Sequence, residues 1–238
     1  MAVNLPDWAT VGSVAAGAAS SAGQVLGDTL GQATAGLDTT HLFALAAALG
    51  WASGLRLYAV VFITGLVGWL GWVPLPAGLQ VLQHPMVVGA AGLMALVEFG
   101  ADKLPLVDSL WDTVHTVIRI PAGAALAAGV LGADAGTWQV IAALMGGTLA
   151  ATSHLAKTTT RAAANTSPEP FSNLGLSLLD DAAVPFMLWL AWEHPLPFFM
   201  VLAVVLVVMV AVTVLLFKFL RGLWRRLQDH FGPAAARA

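Results

Sequence analysis

Residues 197–217 read PFFMVLAVVLVVMVAVTVLLF, an apolar run without a charged side chain. A helix needs roughly 20 mainly apolar residues to cross the hydrocarbon core of a bilayer, so this stretch predicts a transmembrane helix. The 238-residue chain is 58% hydrophobic and only 10% charged, whereas a soluble domain carries about 25% charged residues. The sequence therefore predicts an all-α integral membrane protein.

Further apolar segments precede this run and are separated by Pro- and Gly-rich turns. They cover residues 42–70, 86–101, 118–131, 138–156 and 174–192. The first of them is interrupted by Gly50, Ser53, Gly54 and Arg56. Together the segments predict a polytopic transmembrane helical bundle of about six spans.

The distribution of Lys and Arg predicts the orientation, because these residues collect on the cytoplasmic side. The basic amphipathic tail, residues 218–238, should be cytoplasmic, and Lys103, Lys157 and Arg161 fall at turns on the same side. The predicted outer turns, residues 71–84, 131–136 and 193–196, contain no Lys or Arg. With six spans in a transmembrane domain of residues 41–217, both termini are expected in the cytoplasm. Residues 1–40 are expected to be weakly helical or disordered.

Charge is rare inside a bilayer and usually functional, and here it collects in two segments. Asp108, Asp112, His115 and Arg119 are spaced i, i+4, i+7 and i+11, which places them on one helix face. Asn173, Ser177 and Asp180 repeat the first three of these spacings, and each trio follows a proline, Pro105 or Pro170, at the same distance. This pattern suggests a duplicated helical hairpin, a device common in transporters.

A third polar face precedes the second trio and contains His154, Lys157, Thr158, Arg161 and Asn165. We expect the three faces to meet. The candidate substrate- or ion-binding residues are Asp108, Asp112, His115, Arg119, Lys157, Arg161, Asn173, Ser177, Asp180 and Asp181. Supporting roles are expected for Glu98, Asp102, Lys103, Glu169 and Arg56.

Structural explanations remain open for these residues. Ser109 and Asn173 suit helix starts, and acid–base pairs could simply fasten the helices together. Pairing leaves a surplus, however, because Glu98, Asp102, Asp108, Asp112, Glu169, Asp180 and Asp181 face only four bases, Lys103, Arg119, Lys157 and Arg161. The surplus must be solvated, protonated or neutralised by a bound cation.

The nature of any bound ion is left open. Asp108, Asp112 and His115, with Asp180 as a further ligand, have a spacing that could hold a divalent ion. His115 alone could instead accept a proton or form an interhelical hydrogen bond. Arg56 is expected to pair with an acid rather than to clamp a substrate.

Several classes of function lack support in the sequence. The chain contains no cysteine, which excludes disulfides and thiolate metal sites. It has no nucleophile elbow, P-loop or His-Glu-x-x-His motif, so an enzyme is disfavoured and no cofactor is expected. The basic tail predicts contact with anionic lipid rather than nucleic acid. A homo-oligomer is compatible with the sequence.

Three segments resemble a known family. FGADKLPLVDSLWDTVHTVIRIPAGA, HLAKTTTRAAANTSPEPFSNLGLSLLDD and GWASGLRLYAV are similar to segments of the domain-of-unknown-function 4126 family of bacterial membrane proteins. The resemblance covers roughly residues 41–195. It implies a multi-pass protein of the bacterial inner membrane and carries no roles for individual residues.

The sequence favours a small transporter or channel-like protein that handles a cation, proton or small polar solute near the cytoplasmic side. The alternative is a scaffold or lipid-associated protein whose buried charges fasten its helices. A membrane enzyme acting on a lipid or a phosphorylated substrate is a third possibility. A water-filled cavity at Asp108, Asp112, His115 and Asp180 would favour transport, whereas a lateral cavity lined by Lys103, Lys157 and Arg161 would favour lipid handling.

Overall fold

The computed structural model describes residues 37–104, 107–132, 135–166 and 170–231, together with Gly17 and Ser21. Most of the predicted N-terminal segment, Pro105, Glu169 and the last seven residues lie outside this range. Within it all regular secondary structure is helical and no strand forms, so the all-α prediction is confirmed.

Between residues 37 and 231, the described chain forms six α-helices and one 3₁₀ helix. They are α1 (Thr39–Trp69), the 3₁₀ helix (Ala77–Gln83), α2 (Pro85–Ala101), α3 (Val107–Leu131), α4 (Thr137–Ala164), α5 (Pro170–Glu193) and α6 (Pro195–Phe231). Among the described residues, α1, α3, α5 and α6 are long and apolar enough to cross a membrane. The 3₁₀ helix and α2, bent by 71°, would together make a fifth crossing. The fold is therefore that of a helical membrane protein.

Helix α1 is capped at its start and broken near its middle. The carboxylate of Asp38 accepts a hydrogen bond from the backbone N–H of His41 at 2.8 Å, which lowers the pKa of Asp38. At Arg56 the backbone leaves the helical region, with φ −146° and ψ 79°. The break divides α1 into a first arm, residues 39–55, and a second arm, residues 57–69.

The two arms form a V, because the chain turns back at Arg56. The first arm runs parallel to α4. Along both helices in the same order, Phe43 contacts Trp138, Gly50 contacts Gly146, and Leu55 contacts Lys157. The second arm runs antiparallel to α2, since Phe62 contacts Gly92 and the later residue Gly65 contacts the earlier residue Val88. Leu49 of the first arm and Ile63 of the second line one cavity. Helix α1 thus enters and leaves at one end of the bundle, as a re-entrant hairpin.

This geometry changes the expected topology. At 1.5 Å per residue the arms are roughly 25 Å and 20 Å long, shorter than the hydrocarbon core of about 30 Å. Helix α6 runs beside the first arm in the same direction, since Trp51 contacts Met209 and Leu55 lies near Val212. Thr39 and the end of α6 therefore lie at opposite ends of the bundle. The described chain thus does not confirm about six crossings, since four helices, or five with the bent pair, are long and apolar enough to cross. The sides on which the two ends lie stay a prediction.

The V of α1 forms the centre of the bundle, and every other helix contacts it. The most extensively packed helix pair is α3 with α4, where Gly123 meets Ala150 and Gly146 meets Ala127. The predicted hairpins α2–α3 and α4–α5 are instead loosely packed, with few contacts between their helices. The internal repeat stays a prediction.

Candidate binding site at a buried charge cluster

Charged side chains from α1 to α5 converge around the tip of the V. We call them the charge cluster. It comprises the carboxylates of Glu98, Asp102, Asp108, Asp112, Asp180 and Asp181 and the bases Arg56, Lys103, Arg119, Lys157 and Arg161. It lies where α2 and α4 end and where α3 and α5 begin. The predicted polar faces of α3, α4 and α5 therefore do meet.

Asp102 is the centre of the cluster and is fully buried. It follows the last turn of α2, and its backbone N–H bonds to the carbonyl of Glu98. Its carboxylate lies 2.8 Å from Lys157, 3.2 Å from Arg161 and 3.3 Å from Arg56. Three cations around one carboxylate join the tip of α1, the end of α2 and the end of α4. The sequence predicted only a supporting role for this residue.

Arg119 forms a second buried centre, deeper along α3. Its guanidinium donates to Glu98 at 2.8 Å and to Asp112 at 2.7 Å. Asp112 is also 3.5 Å from Lys157 and 3.8 Å from Arg161. The two centres are thus linked through Asp112, and α2, α3 and α4 share one continuous ion-pair network.

Helix α5 joins the cluster through the tip of α1. Arg56 lies 2.8 Å from the carboxylate of Asp181 and donates to the hydroxyl of Ser177 at 2.9 Å. Lys103 reaches the same two side chains, each at 3.2 Å, and lies over the ring of Phe99. Arg56 therefore pairs with acids.

Asp180 is the most loosely held carboxylate of the cluster. It lies 3.6 Å from Arg161 and 4.0 Å from Lys157, and its side chain is 15% exposed. These three side chains line a cavity of about 230 Å³ between α4, α5 and α6. Asp180 therefore lies between the cluster and an open space.

The amide groups lie at the edge of the cluster where α3 and α5 begin. Asn165 donates to Asp108 at 3.2 Å and to Ser109 at 2.9 Å, and the amide of Asn173 bonds to Asn165. The carboxylate of Asp108 also accepts from the backbone N–H of Ser109 at 2.6 Å. Asn173 and Asp108 thus connect the starts of α5 and α3 with Asn165 at the end of α4.

His115 lies against aromatic side chains. Its ring stacks on Trp111 at 4.0 Å and contacts the edge of Tyr58, and Nδ1 lies 2.8 Å from the carbonyl of Trp111. Among the residues that the structure describes, no three Asp, Glu or His side chains converge to hold a metal. The structure does not bring the residues considered for a divalent ion together, because Asp112 pairs with Arg119 and His115 stacks on Trp111.

His154 is a member of the site that was absent from the predicted binding set. Its Nε2 lies 2.7 Å from the hydroxyl of Thr116, and its Nδ1 lies 3.3 Å from both Arg119 and the carbonyl of Gly54. It shares one helix face with Lys157 and Arg161. The helical spacing placed His154 on the polar face of α4. It could not show whether its ring nitrogens contact protein groups or a ligand.

The broken helix supplies the last part of the site. The carbonyl of Leu55, released by the break, accepts from Lys157 at 2.7 Å. Each unsatisfied backbone group in hydrocarbon costs several kcal/mol, so side chains of α4 stabilise the break. The resulting site combines freed carbonyls, paired charges and a lateral cavity.

Comparison with known proteins adds the family. The family model described as a domain of unknown function (DUF4126) matches residues 43–214. The chain belongs to this family. Neither the search of curated proteins nor the search of solved structures gave a match. The matched range contains the whole charge cluster and α1 from residue 43 onwards.

The charge balance of this DUF4126 protein differs from that expected. Arg56 was left out of the predicted set of bases, and Glu169 lies outside the described residues. In the described cluster, six carboxylates face five bases. The excess is a single negative charge, which one proton or one monovalent cation would neutralise.

Proposed function

We propose that this DUF4126 protein is a small membrane transport protein that binds a cation, a proton or a small polar solute at the charge cluster. The observation that carries the proposal is the re-entrant V, whose tip at Arg56 ends inside the cluster. Non-helical backbone at membrane depth is tolerated where it is buried in protein or lines a cavity. Discontinuous helices of this kind build the substrate sites of many transporters.

Asp180 is the residue at which a proton would act. It faces Lys157 and Arg161 from α4, while Asp102, after α2, holds the same two bases and Arg56 of α1. Asp181 neighbours it on α5. Protonation of Asp180 would remove the excess negative charge. It would also weaken the ion pairs of Asp180 with Lys157 and Arg161 of α4. The contact between α4 and α5 would then depend on the proton.

The distribution of charge supports the location of this site near the cytoplasm. Lys103, Arg161 and the bases of the α6 tail all lie towards the end of the bundle that contains the tip of the V, and Lys and Arg favour the cytoplasmic side. Thr39 would then face the outside. We propose a bacterial inner membrane as the location, in agreement with the sequence-based resemblance.

A non-transporting scaffold is the second candidate. It is favoured by one observation: each of the five bases lies within 4.0 Å of a carboxylate. The cluster would then only fasten the helices. Vesicles containing the purified protein distinguish the candidates, since a scaffold moves no ion.

The test is proton flux into lipid vesicles, measured with a trapped pH-sensitive dye under a potassium diffusion potential. Wild-type protein should acidify the vesicle interior faster than empty vesicles, and Asp180→Asn should abolish the difference. Glu193→Gln is the matched control, because it makes the same change at the far end of α5, where Glu193 is exposed. Wild-type flux equal to that of empty vesicles, with and without added cations, would exclude transport of a proton or cation.

A further inference from the structure

A second cavity lies between the two arms of the V, away from the charge cluster at the tip. It holds about 200 Å³. Leu49 lines it from the first arm, and Ile63 and Val67 line it from the second arm. The segment between α1 and α2 contributes Leu79, and α5 contributes residues of its last turns. The V thus encloses a space between its arms that the chain itself does not fill.

The inner part of this cavity is buried and almost wholly apolar. Leu49 is 2% exposed and Leu79 is 3% exposed. Among the described residues that line the cavity, apart from two tryptophans, only Thr64 and the exposed Glu193 carry polar side chains. An apolar cavity of about 150 Å³ stays dry and takes up benzene or xenon, and unfilled core volume lowers stability. A space of this size and lining therefore favours hydrocarbon over water.

The cavity opens sideways at α5, towards the bilayer. Pro185 and Trp189 line it one helical turn apart, and both are exposed. Residues i and i+4 share one helix face, so this face of α5 borders both the cavity and the membrane. Trp192 also lines the cavity, and Trp69 ends the second arm beside it. Because tryptophan collects at membrane interfaces, the opening lies just below the level of the lipid head groups.

We propose that this cavity binds an acyl chain of a phospholipid whose head group stays at the membrane interface. The chain enters beside Trp189 and lies against Leu49, Ile63 and Leu79. An acyl chain matches the site because it is hydrocarbon and runs from the interface towards the middle of the membrane, as the cavity does from Trp192 to Leu49. The bound chain packs between the arms and supports the V. This site goes beyond the proposed transport function and does not depend on it.

The test is photocrosslinking in phosphatidylcholine vesicles that contain a small fraction of the same lipid with a diazirine midway along one acyl chain. Mass spectrometry of peptides then locates the modified residues. Wild-type protein should be modified at Leu49 and Leu79, which lipid on the outer surface does not reach. Leu42 and Leu131 are equally buried but lie outside the cavity, so they should stay unmodified. Modification confined to exposed residues such as Leu93 would overturn the proposal.

A matched pair of variants locates the chain. Val67→Phe fills part of the cavity and should abolish modification of Leu49 and Leu79. Leu66→Phe should leave it unchanged, because Leu66 is a half-buried neighbour that does not line the cavity. Unchanged modification in Val67→Phe, or equal loss in both variants, would contradict a chain between the arms.

A compact apolar probe distinguishes a lipid chain from a small apolar solute. Adamantyl diazirine is dissolved in the same vesicles in place of the labelled lipid. If this probe modifies Leu49 and Leu79 while the labelled chain does not, the cavity takes a compact solute and the proposal fails. Proton flux is not part of this readout, so a failure of the transport test leaves the result intact.

Discussion

At the scale of single residues, Asp112 has the most demanding environment. It is 1% exposed and lies between Arg119, Lys157 and Arg161. Asp112→Asn keeps the shape but removes the carboxylate that links Arg119 to Lys157 and Arg161. Breaking one partner of a buried pair costs roughly 3–5 kcal/mol. We expect a markedly lower melting temperature in detergent, measured by intrinsic tryptophan fluorescence.

The matched control for Asp112→Asn is Glu193→Gln, whose carboxylate is exposed. It should melt within a degree or two of wild type, since exposed charges contribute about 0–1 kcal/mol. If the two variants melt alike, Asp112 is in contact with water and does not hold the helices together.

His115 gives the opposite expectation. Its ring is held by stacking on Trp111 and by one bond to a carbonyl. His115→Phe keeps the stacking and loses only that bond, so we expect a cost of about 1 kcal/mol and unchanged proton flux. Loss of flux without loss of stability would instead assign a proton to His115.

At the scale of elements, the first arm of α1 depends on its close approach to α4. A Cβ at Gly50 would lie 2.5 Å from the Cα of Gly146. Gly50→Ala should therefore force α1 and α4 apart and cost about 1–3 kcal/mol, measured as a lower melting temperature.

Gly89→Ala is the control for this change, because nothing lies within 4 Å of the added methyl group. Alanine favours the helix by up to about 1 kcal/mol over glycine, so this variant should be neutral or slightly more stable. Equal effects of the two substitutions would contradict the close packing of α1 on α4.

The elements themselves could be predicted from the sequence, because apolar length determines where membrane helices form. Each predicted apolar segment lies within a helix of the structure, apart from one residue at the end of the first. The reversal at Arg56 could not be predicted. Gly50, Ser53 and Gly54 indicated an interruption, but the break is stabilised by Lys157 and His154, which lie about 100 residues away in the chain. Hydropathy contains no information about such distant partners.

The candidate site could be predicted only in part, because helical spacing shows which residues share a face but not which faces meet. Helical spacing placed Asp112 and Lys157 on inward faces, and the structure brings these faces together. Spacing could not show that Asp102 lies at the centre, since a residue at a helix end has no periodic neighbours. It also suggested a metal site at His115, because it cannot distinguish a ligand from a ring stacked on tryptophan.

At the scale of the whole molecule, the V predicts the sidedness of the chain. The protein has no cysteine, so single cysteines can be introduced without background. A membrane-impermeant maleimide applied to intact cells should label Thr39→Cys, Gln80→Cys and His194→Cys, but not Thr159→Cys or Arg225→Cys. Ordinary six-span topology would place position 39 with position 225.

Permeabilised cells provide the control for accessibility, since Arg225→Cys should then react. The decisive position is 39. If Thr39→Cys is protected in intact cells while Gln80→Cys reacts, α1 crosses the membrane and does not turn back.

The dependence of the V on α4 also has a consequence for synthesis at the ribosome. Chains emerge from the N-terminus, so α1 is made well before Lys157, whose ammonium bonds to the carbonyl of Leu55 across 102 positions. Until then the carbonyl of Leu55 lacks this hydrogen-bond donor, and lipid hydrocarbon offers no other donor. The earliest helix of the bundle should therefore reach its place late, after α4 has been inserted. A nascent chain halted before residue 157 should leave α1 accessible to proteases or to an insertase.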